Sequence, residues 1–234
     1  MRIAIFFTPP ADHPLTRAAA LWLGRDAFTG EALAQVDAGG LGAEELRSLT
    51  GEPRRYGFHA TMKAPFRLSA GWRLDDVEDA FDGFCASHHA FPIGRLRVER
   101  IGGFFALVPE SPVPELEALA AECVRFFDSC RAPLTEEDIA RRNPDRLTPR
   151  QRENLHQWGY PYVMEDFRFH MTLTGTVPES RWSAVKQLLQ KRFAPVLEEP
   201  VVVEGLSLFI EPEAEADFRV HASVAFERQP LGAA

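Results

Sequence analysis

A short phrase that occurs twice constrains this chain more than any other feature. Arg55-Tyr56-Gly57-Phe58-His59-Ala60-Thr61-Met62-Lys63 and Asp166-Phe167-Arg168-Phe169-His170-Met171-Thr172-Leu173-Thr174 both read Phe-His-x-Thr followed by Met or Leu. Side chains alternate between the faces of a β-strand, so residues two apart share a face. The first copy then buries Tyr56, Phe58, Ala60 and Met62 and presents Gly57, His59, Thr61 and Lys63. The second buries Phe167, Phe169, Met171 and Leu173 and presents Asp166, Arg168, His170, Thr172 and Thr174.

A lone His-x-Thr is weak evidence for anything. Two copies with matching flanks and matching faces are stronger, and the order that follows each one also matches. After the first come a helix over Leu74 to Ser87 and strands over Phe91 to Ile101 and Phe104 to Val108, the strands joined through Gly102-Gly103 as a hairpin. After the second come a helix over Glu179 to Phe193 and strands over Pro200 to Ile210 and Asp217 to Glu227. Motif strand, helix, strand, strand is therefore a repeated unit. The fold class predicted is α+β: a bilobal, duplicated single domain over residues 1–234, two pseudo-symmetric lobes, antiparallel sheets facing a central cleft and helices packed outside.

The remaining segments fit around that frame. Arg2 to Phe7 reads as a first strand, Thr8 to Pro14 as a proline-fixed loop, and Leu15 to Leu23 as a helix ended by Gly24. Residues 25 to 55 read as connections with one short helix over Ala43 to Leu46. Pro112 to Cys130 is a helix with Cys123 and Cys130 on its apolar stripe, and these with Cys85 are expected as buried thiols in a reducing compartment. Residues 132 to 160 form a polar excursion with Arg141, Arg142, Arg146, Arg150 and Arg152, in which Thr148-Pro149 marks a helix start. Such a long connection reads either as a lid or as a surface excursion. Gln229 to Ala234 reads as a frayed tail.

A formal charge of −8 argues against broad binding to duplex nucleic acid, which depends on many cation–phosphate contacts. It leaves room for one small phosphate ester in a local basic pocket. No apolar run reaches bilayer-spanning length and the N-terminus lacks the features of a signal peptide, so no membrane partner and a cytoplasmic location are expected.

Two histidines facing one cleft suit phosphoester chemistry. Imidazole titrates at about 6.5, so either ring donates or accepts a proton near neutrality. In-line cleavage at phosphorus requires a base for the attacking oxygen and an acid for the leaving one. His59 and His170 fill those roles in an order the sequence leaves open. Thr61 and Thr172 would donate to non-bridging oxygens, and Lys63 and Arg168 would balance equatorial charge. His13 and His156 are loop residues and candidates to line the cleft, His221 sits in the last strand, and His88-His89 ends a helix. Histidines without carboxylates at ligand spacing make a poor metal site, so no metal and no cofactor are expected. Neither a Gly-x-Gly-x-x-Gly nor a phosphate-binding loop ending in Lys-Ser/Thr is present, which argues against nucleotide-dependent phosphoryl transfer.

The paired Phe-His-Ala-Thr and Phe-His-Met-Thr motifs resemble those of the 2H phosphoesterase superfamily. The longer phrase Arg55 to Phe66 is similar to a branch encoded among bacterial phosphonate-degradation genes. The resemblance implies the RNA ligase-like cyclic phosphodiesterase fold, His59 and His170 as the catalytic pair, and Thr61 and Thr172 as phosphate ligands. It further implies a metal-independent phosphodiesterase that hydrolyses a cyclic phosphodiester of a small ribose phosphate or nucleotide, within phosphonate metabolism. An RNA-end-processing 2′,3′-cyclic phosphodiesterase is the alternative, with Trp158 or Tyr160 stacking a base and RNA ends as partner. A non-catalytic phosphate-ligand module is the third reading.

Overall fold

A computed structural model describes residues 1–227, and the tail expected over Gln229 to Ala234 lies outside them. The chain opens with strand β1 (Arg2–Phe7) and helix α1 (Pro14–Leu23), followed by two short helices, α2 (Ala43–Leu49) and α3 (Gly51–Tyr56). The first motif supplies β2 (Ala60–Phe66), then α4 (Leu74–Ala86), β3 (Phe91–Gly94), β4 (Leu96–Ile101) and β5 (Phe104–Pro109). Helix α5 (Pro114–Phe126) leads into the arginine-bearing segment with α6 (Glu136–Ala140) and α7 (Pro149–Trp158). The second motif supplies β6 (Met171–Thr172), then α8 (Trp182–Leu197), β7 (Val201–Val203), β8 (Gly205–Glu211) and β9 (Arg219–Ala225).

Helix and strand together make an α+β protein with antiparallel sheets. One four-stranded sheet runs β2-β1-β8-β9, a three-stranded sheet runs β4-β5-β6, and β3 pairs with β7. The expected run of motif strand, helix, strand, strand is one strand short in each copy. Phe91 to Ile101 divides into β3 and β4 at Gly94, whose φ of 70° takes the chain out of extended geometry, and Pro200 to Ile210 divides into β7 and β8 before Gly205. A Cβ at Gly205 would lie 2.2 Å from the Val224 carbonyl oxygen, so only glycine lets β8 approach β9 there.

The motif strands are also shorter than the phrases that contain them. Tyr56 ends α3, and Gly57 (φ 79°) reverses the chain before β2 begins. The ladder of β6 with β5 holds only Ala106↔Thr172 and Leu107↔Met171. Beyond it the Phe105 carbonyl accepts from the amides of both Leu173 and Thr174, and the Thr174 hydroxyl accepts from the Phe105 amide, which closes the ladder off.

Burial follows the alternation along β1. Ile3, Ile5 and Phe7 enter the main core, whereas Ala4 and Phe6 join a smaller cluster with Ala27, Phe209 and Phe218. Helix α4 covers β8 and β9, α8 covers β4, and α5 covers β2, each presenting an apolar stripe such as Val77, Phe81 and Phe84 of α4. Cys85, Cys123 and Cys130 are buried free thiols. Residues 25 to 55 carry one helix more than expected, α3. Helix α7 begins where Thr148-Pro149 marked it, with Thr148 and Gln151 forming a reciprocal cap. No helix of the described residues is long and apolar enough to cross a membrane.

Candidate functional site

His59, Thr61, His170 and Thr172 line one cavity of about 250 Å³. Its walls come from both larger sheets: Phe6 and Thr61 from β1 and β2, Phe104 and Thr172 from β5 and β6. The two copies of Phe-His-x-Thr, far apart in the chain, thus reach a single space. The apolar partners in each phrase do the anchoring, with Phe58, Ala60 and Met62 buried on one side and Phe169, Met171 and Leu173 on the other.

The histidines are held alike. His59 Nδ1 lies 2.9 Å from the Gly57 carbonyl oxygen, and His170 Nδ1 lies 2.8 Å from that of Arg168. A carbonyl only accepts, so Nδ1 carries the proton in each ring and Nε2 is left as the acceptor when the ring is neutral. In both motifs the carbonyl belongs to the residue two positions earlier, so the phrase fixes its own tautomer. His59 also stacks on Phe6 at 3.9 Å between ring centroids, with Tyr56 at 5.9 Å, while His170 has Phe104 at 5.8 Å.

Charge is disfavoured at both rings. Burial pushes His59 down to about 4, and the neighbouring His170 adds to the effect against the carbonyl of Gly57. His170 is also lowered, first by burial and then by Arg168. Both are neutral at pH 7 in the absence of a ligand. An anion placed between them would raise both, because a nearby negative charge favours imidazolium.

Two expected phosphate ligands stand elsewhere. Lys63 is buried, and its ammonium donates to the Val124 carbonyl at 2.8 Å and to Asp128 at 2.9 Å. The reason is a β-bulge: Phe6 pairs with Thr61 but Ile5 pairs with Lys63, so Met62 is the extra residue. The bulge reverses the alternation, turning Lys63 toward α5 and bringing Ala64 to the cavity instead. Arg168 is exposed and lines a separate groove with Phe167 and Glu110. It precedes β6, so strand alternation does not govern it; its backbone carbonyl orients His170, and its charge opposes protonation of that ring.

Other side chains that the face assignment left out do reach the cleft. Tyr56, expected on the buried face, ends α3 and lines the wall, and Glu52 of the same helix stands at its rim. Arg142 and Tyr160 arrive from the arginine-bearing excursion, the guanidinium 4.9 Å from the Tyr160 ring centroid. The arginine run and Tyr160 were visible in the sequence, but nothing in their spacing singled out Arg142. His13 caps α1 by accepting from the Leu15 amide, His221 pairs with Glu78, and His88 pairs with Glu122, so these have local partners. His156 lies in a shallow depression on α7. Among the described residues no group of three or more His, Cys, Asp or Glu is arranged to hold a metal ion.

Fold and site define an α+β protein with antiparallel sheets and a cleft where paired histidines and threonines converge. The chain belongs to the family described as protein of unknown function DUF1045, whose model matches residues 61–219. It is 38% identical over 232 residues to "Ribose 1,5-bisphosphate phosphokinase PhnN" of Janthinobacterium sp. (strain Marseille), covering 97% of this chain and 51% of that protein. It is 33% identical over 222 residues to the protein of the same name in Laribacter hongkongensis (strain HLHK9), covering 94% of this chain and 50% of that one. The chain therefore spans about half the length of the curated relatives it matches. Their shared PhnN label supports the phosphonate-associated branch to which the first motif was likened.

These names correct the expected activity. Both relatives are named as a phosphokinase, a phosphoryl transferase, rather than as a hydrolase of cyclic phosphodiesters. Neither name refers to a cyclic phosphate or to RNA ends.

Proposed function

We propose that this chain supplies a ribose-phosphate site in phosphonate metabolism, with a phosphoryl group seated between His59 and His170. The observation that carries the reading is the convergence of His59, Thr61, His170 and Thr172 on one cavity, with both Nδ1 atoms satisfied by backbone carbonyls. Nε2 of each ring then accepts a proton from, or returns it to, a phosphoryl or sugar oxygen, a transfer typically contributing about 10²- to 10⁴-fold to a rate. The Thr61 and Thr172 hydroxyls donate to non-bridging oxygens. Glu52 at the rim accepts from sugar hydroxyls, and the Tyr56 and Phe104 rings bracket the apolar face of the ribose.

The chain has three lysines, none of them following a glycine, and no phosphate-binding loop. The reading accordingly gives it the ribose-phosphate end of the chemistry and not the nucleotide end. The name of a ribose 1,5-bisphosphate phosphokinase belongs to relatives of twice this length, and it supports a phosphorylated ribose as the ligand class.

The same reading takes the chain as a bilobal duplication of the 2H kind. Its support is the chain order: β1, α1, β2, α4, β3, β4 is followed by β5, α5, β6, α8, β7, β8, with α2, α3, α6 and α7 falling between these elements and β9 following them. β1 joins β8 and β5 joins β4, so each unit completes the other's sheet, and β3 pairs with its counterpart β7.

Calorimetric titration of the chain with ribose 5-phosphate tests the site. Each of His59→Ala and His170→Ala is expected to weaken binding by at least about tenfold, the equivalent of about 1.4 kcal/mol for a lost hydrogen bond to a charged ligand. Absence of binding by the unaltered chain, or unchanged affinity in both variants, would reject the reading.

A further inference from the structure

A second cavity, of about 350 Å³, adjoins the cleft and shares Tyr56, Pro65 and Arg142 with it. Its lining is dominated by guanidinium groups: Arg2, Arg55, Arg67, Arg141 and Arg142. In a chain of net charge −8, such a concentration of cations at one place calls for a reason.

The ion pairs inside it leave positive charge over. Arg2 and Arg55 share one carboxylate, that of the fully buried Glu211, which cannot neutralise both. Arg2 binds it through Nε and Nη2, and Arg55 binds it through Nη2 while its Nε donates to the Glu215 carbonyl. Nη1 of each is left with donors to spare, and both side chains remain partly exposed. Arg67 and Arg141 are paired with Asp138 and Glu137. Arg142, among the described residues, rests on the Tyr160 ring and has no carboxylate partner. The opposing carboxylates of the lining are Asp138, engaged by Arg67 and Thr135, and Glu215, exposed at the mouth. Guanidinium forks held in place by a buried carboxylate are suited to a phosphate, which they meet with paired charge-assisted hydrogen bonds.

The two cavities are joined through Tyr56. Its ring centroid is 5.9 Å from that of His59 on one side and 5.2 Å from the Arg55 guanidinium carbon on the other. A sugar lying across Tyr56 with a phosphate at one end between the histidines would direct its other end at the arginines.

We propose that the arginine-lined cavity binds a second phosphate, so that the preferred ligand is a ribose phosphorylated at both ends. This rests on the ribose-phosphate reading of the cleft and adds the specificity for bisphosphate over monophosphate. Arg2 and Arg55 line this cavity and not the histidine cleft, so they distinguish the two.

The test is calorimetric titration of the full chain, Arg55→Gln and Arg2→Gln with ribose 1,5-bisphosphate and with ribose 5-phosphate. Arg2→Gln leaves Arg55 to hold Glu211, Arg55→Gln leaves Arg2 to hold it, and neither residue lines the histidine cleft. The unaltered chain should bind the bisphosphate more tightly than the monophosphate. Each variant should lower bisphosphate affinity by about tenfold, one charge-assisted contact, and leave monophosphate affinity unchanged. Equal affinity of the unaltered chain for the two sugars, or an unchanged ratio in both variants, overturns the second site. If monophosphate binding still depends on His59 in that case, the cleft reading survives. If the unaltered chain binds neither sugar, or the histidine variants weaken neither, both fall together.

Discussion

The depressed basicity of His59 predicts a specific acid limb in the stability of the protein. The ring is neutral in the folded state down to about 4, whereas in the unfolded chain it titrates near the ordinary value of 6.5. Between those values the unfolded chain binds a proton that the folded chain refuses, so stability falls as pH falls through that window. Above 6.5 neither state is protonated at this site, and below about 4 both are. At about 1.36 kcal/mol per unit of pKa, the full window amounts to about 3 kcal/mol, an upper figure because the ring is reached by solvent through the cleft. His59→Phe keeps an aromatic ring against Phe6 and removes the titrating group. Urea denaturation followed by tryptophan fluorescence, repeated from pH 7.5 to 4.5, gives the stability of both proteins. His13 and His170 are also lowered and shape the acid limb of each, so the quantity to read is the difference between the two proteins. That difference should move by about 2 kcal/mol in favour of His59→Phe as pH falls from 6.5 to 4.5. Parallel curves across the range would show that His59 titrates normally and that the cleft does not impose the neutral ring on which the proton-transfer role depends.

Two further outcomes bear on how the motifs are built. Lys63→Met removes the donor to the Val124 carbonyl but leaves Asp128 with Arg131, so a stability loss of about 2 kcal/mol is expected in denaturation, with ribose-phosphate affinity unchanged. A tenfold weakening of the ligand would instead return Lys63 to the phosphate site. Gly57→Ala places a Cβ about 2.5 Å from that of Ala27 at a φ of 79°, and the same residue's carbonyl orients His59. Stability should drop by more than about 1 kcal/mol and ligand affinity should fall with it. A variant with the melting temperature and affinity of the original chain would refute that account of the turn.

Much of the site could be read from the chain because its requirements are local. Phe-His-x-Thr buries Phe and x and leaves His and Thr on the other face, and that holds in both copies where the strand is regular. The carbonyl two residues before each histidine is part of the same phrase. The cations were misplaced for equally physical reasons. Lys63 lies beyond a bulge created by the pairing of β2 with β1, and a bulge has no signature in the local pattern. Arg168 precedes a strand only two residues long, because Phe105 of β5 stops the ladder, and that depends on a partner strand distant in sequence. Tyr56 was assigned to a strand face but belongs to a helix end. The position of Arg142 follows from how a long excursion folds back over the cleft.

The sequence by itself determined the α+β class, the recurrence of the motif and the four side chains that converge, since each follows from periodicity and repetition within a few residues. Only the tertiary structure decided which cations reach the cleft, that Tyr56 lines its wall from a helix end, and that an arginine-lined cavity opens beside it. Those features arise where strands meet residues far away in the chain. One added residue in a ladder reverses every side chain after it, and a short-range pattern carries no record of it.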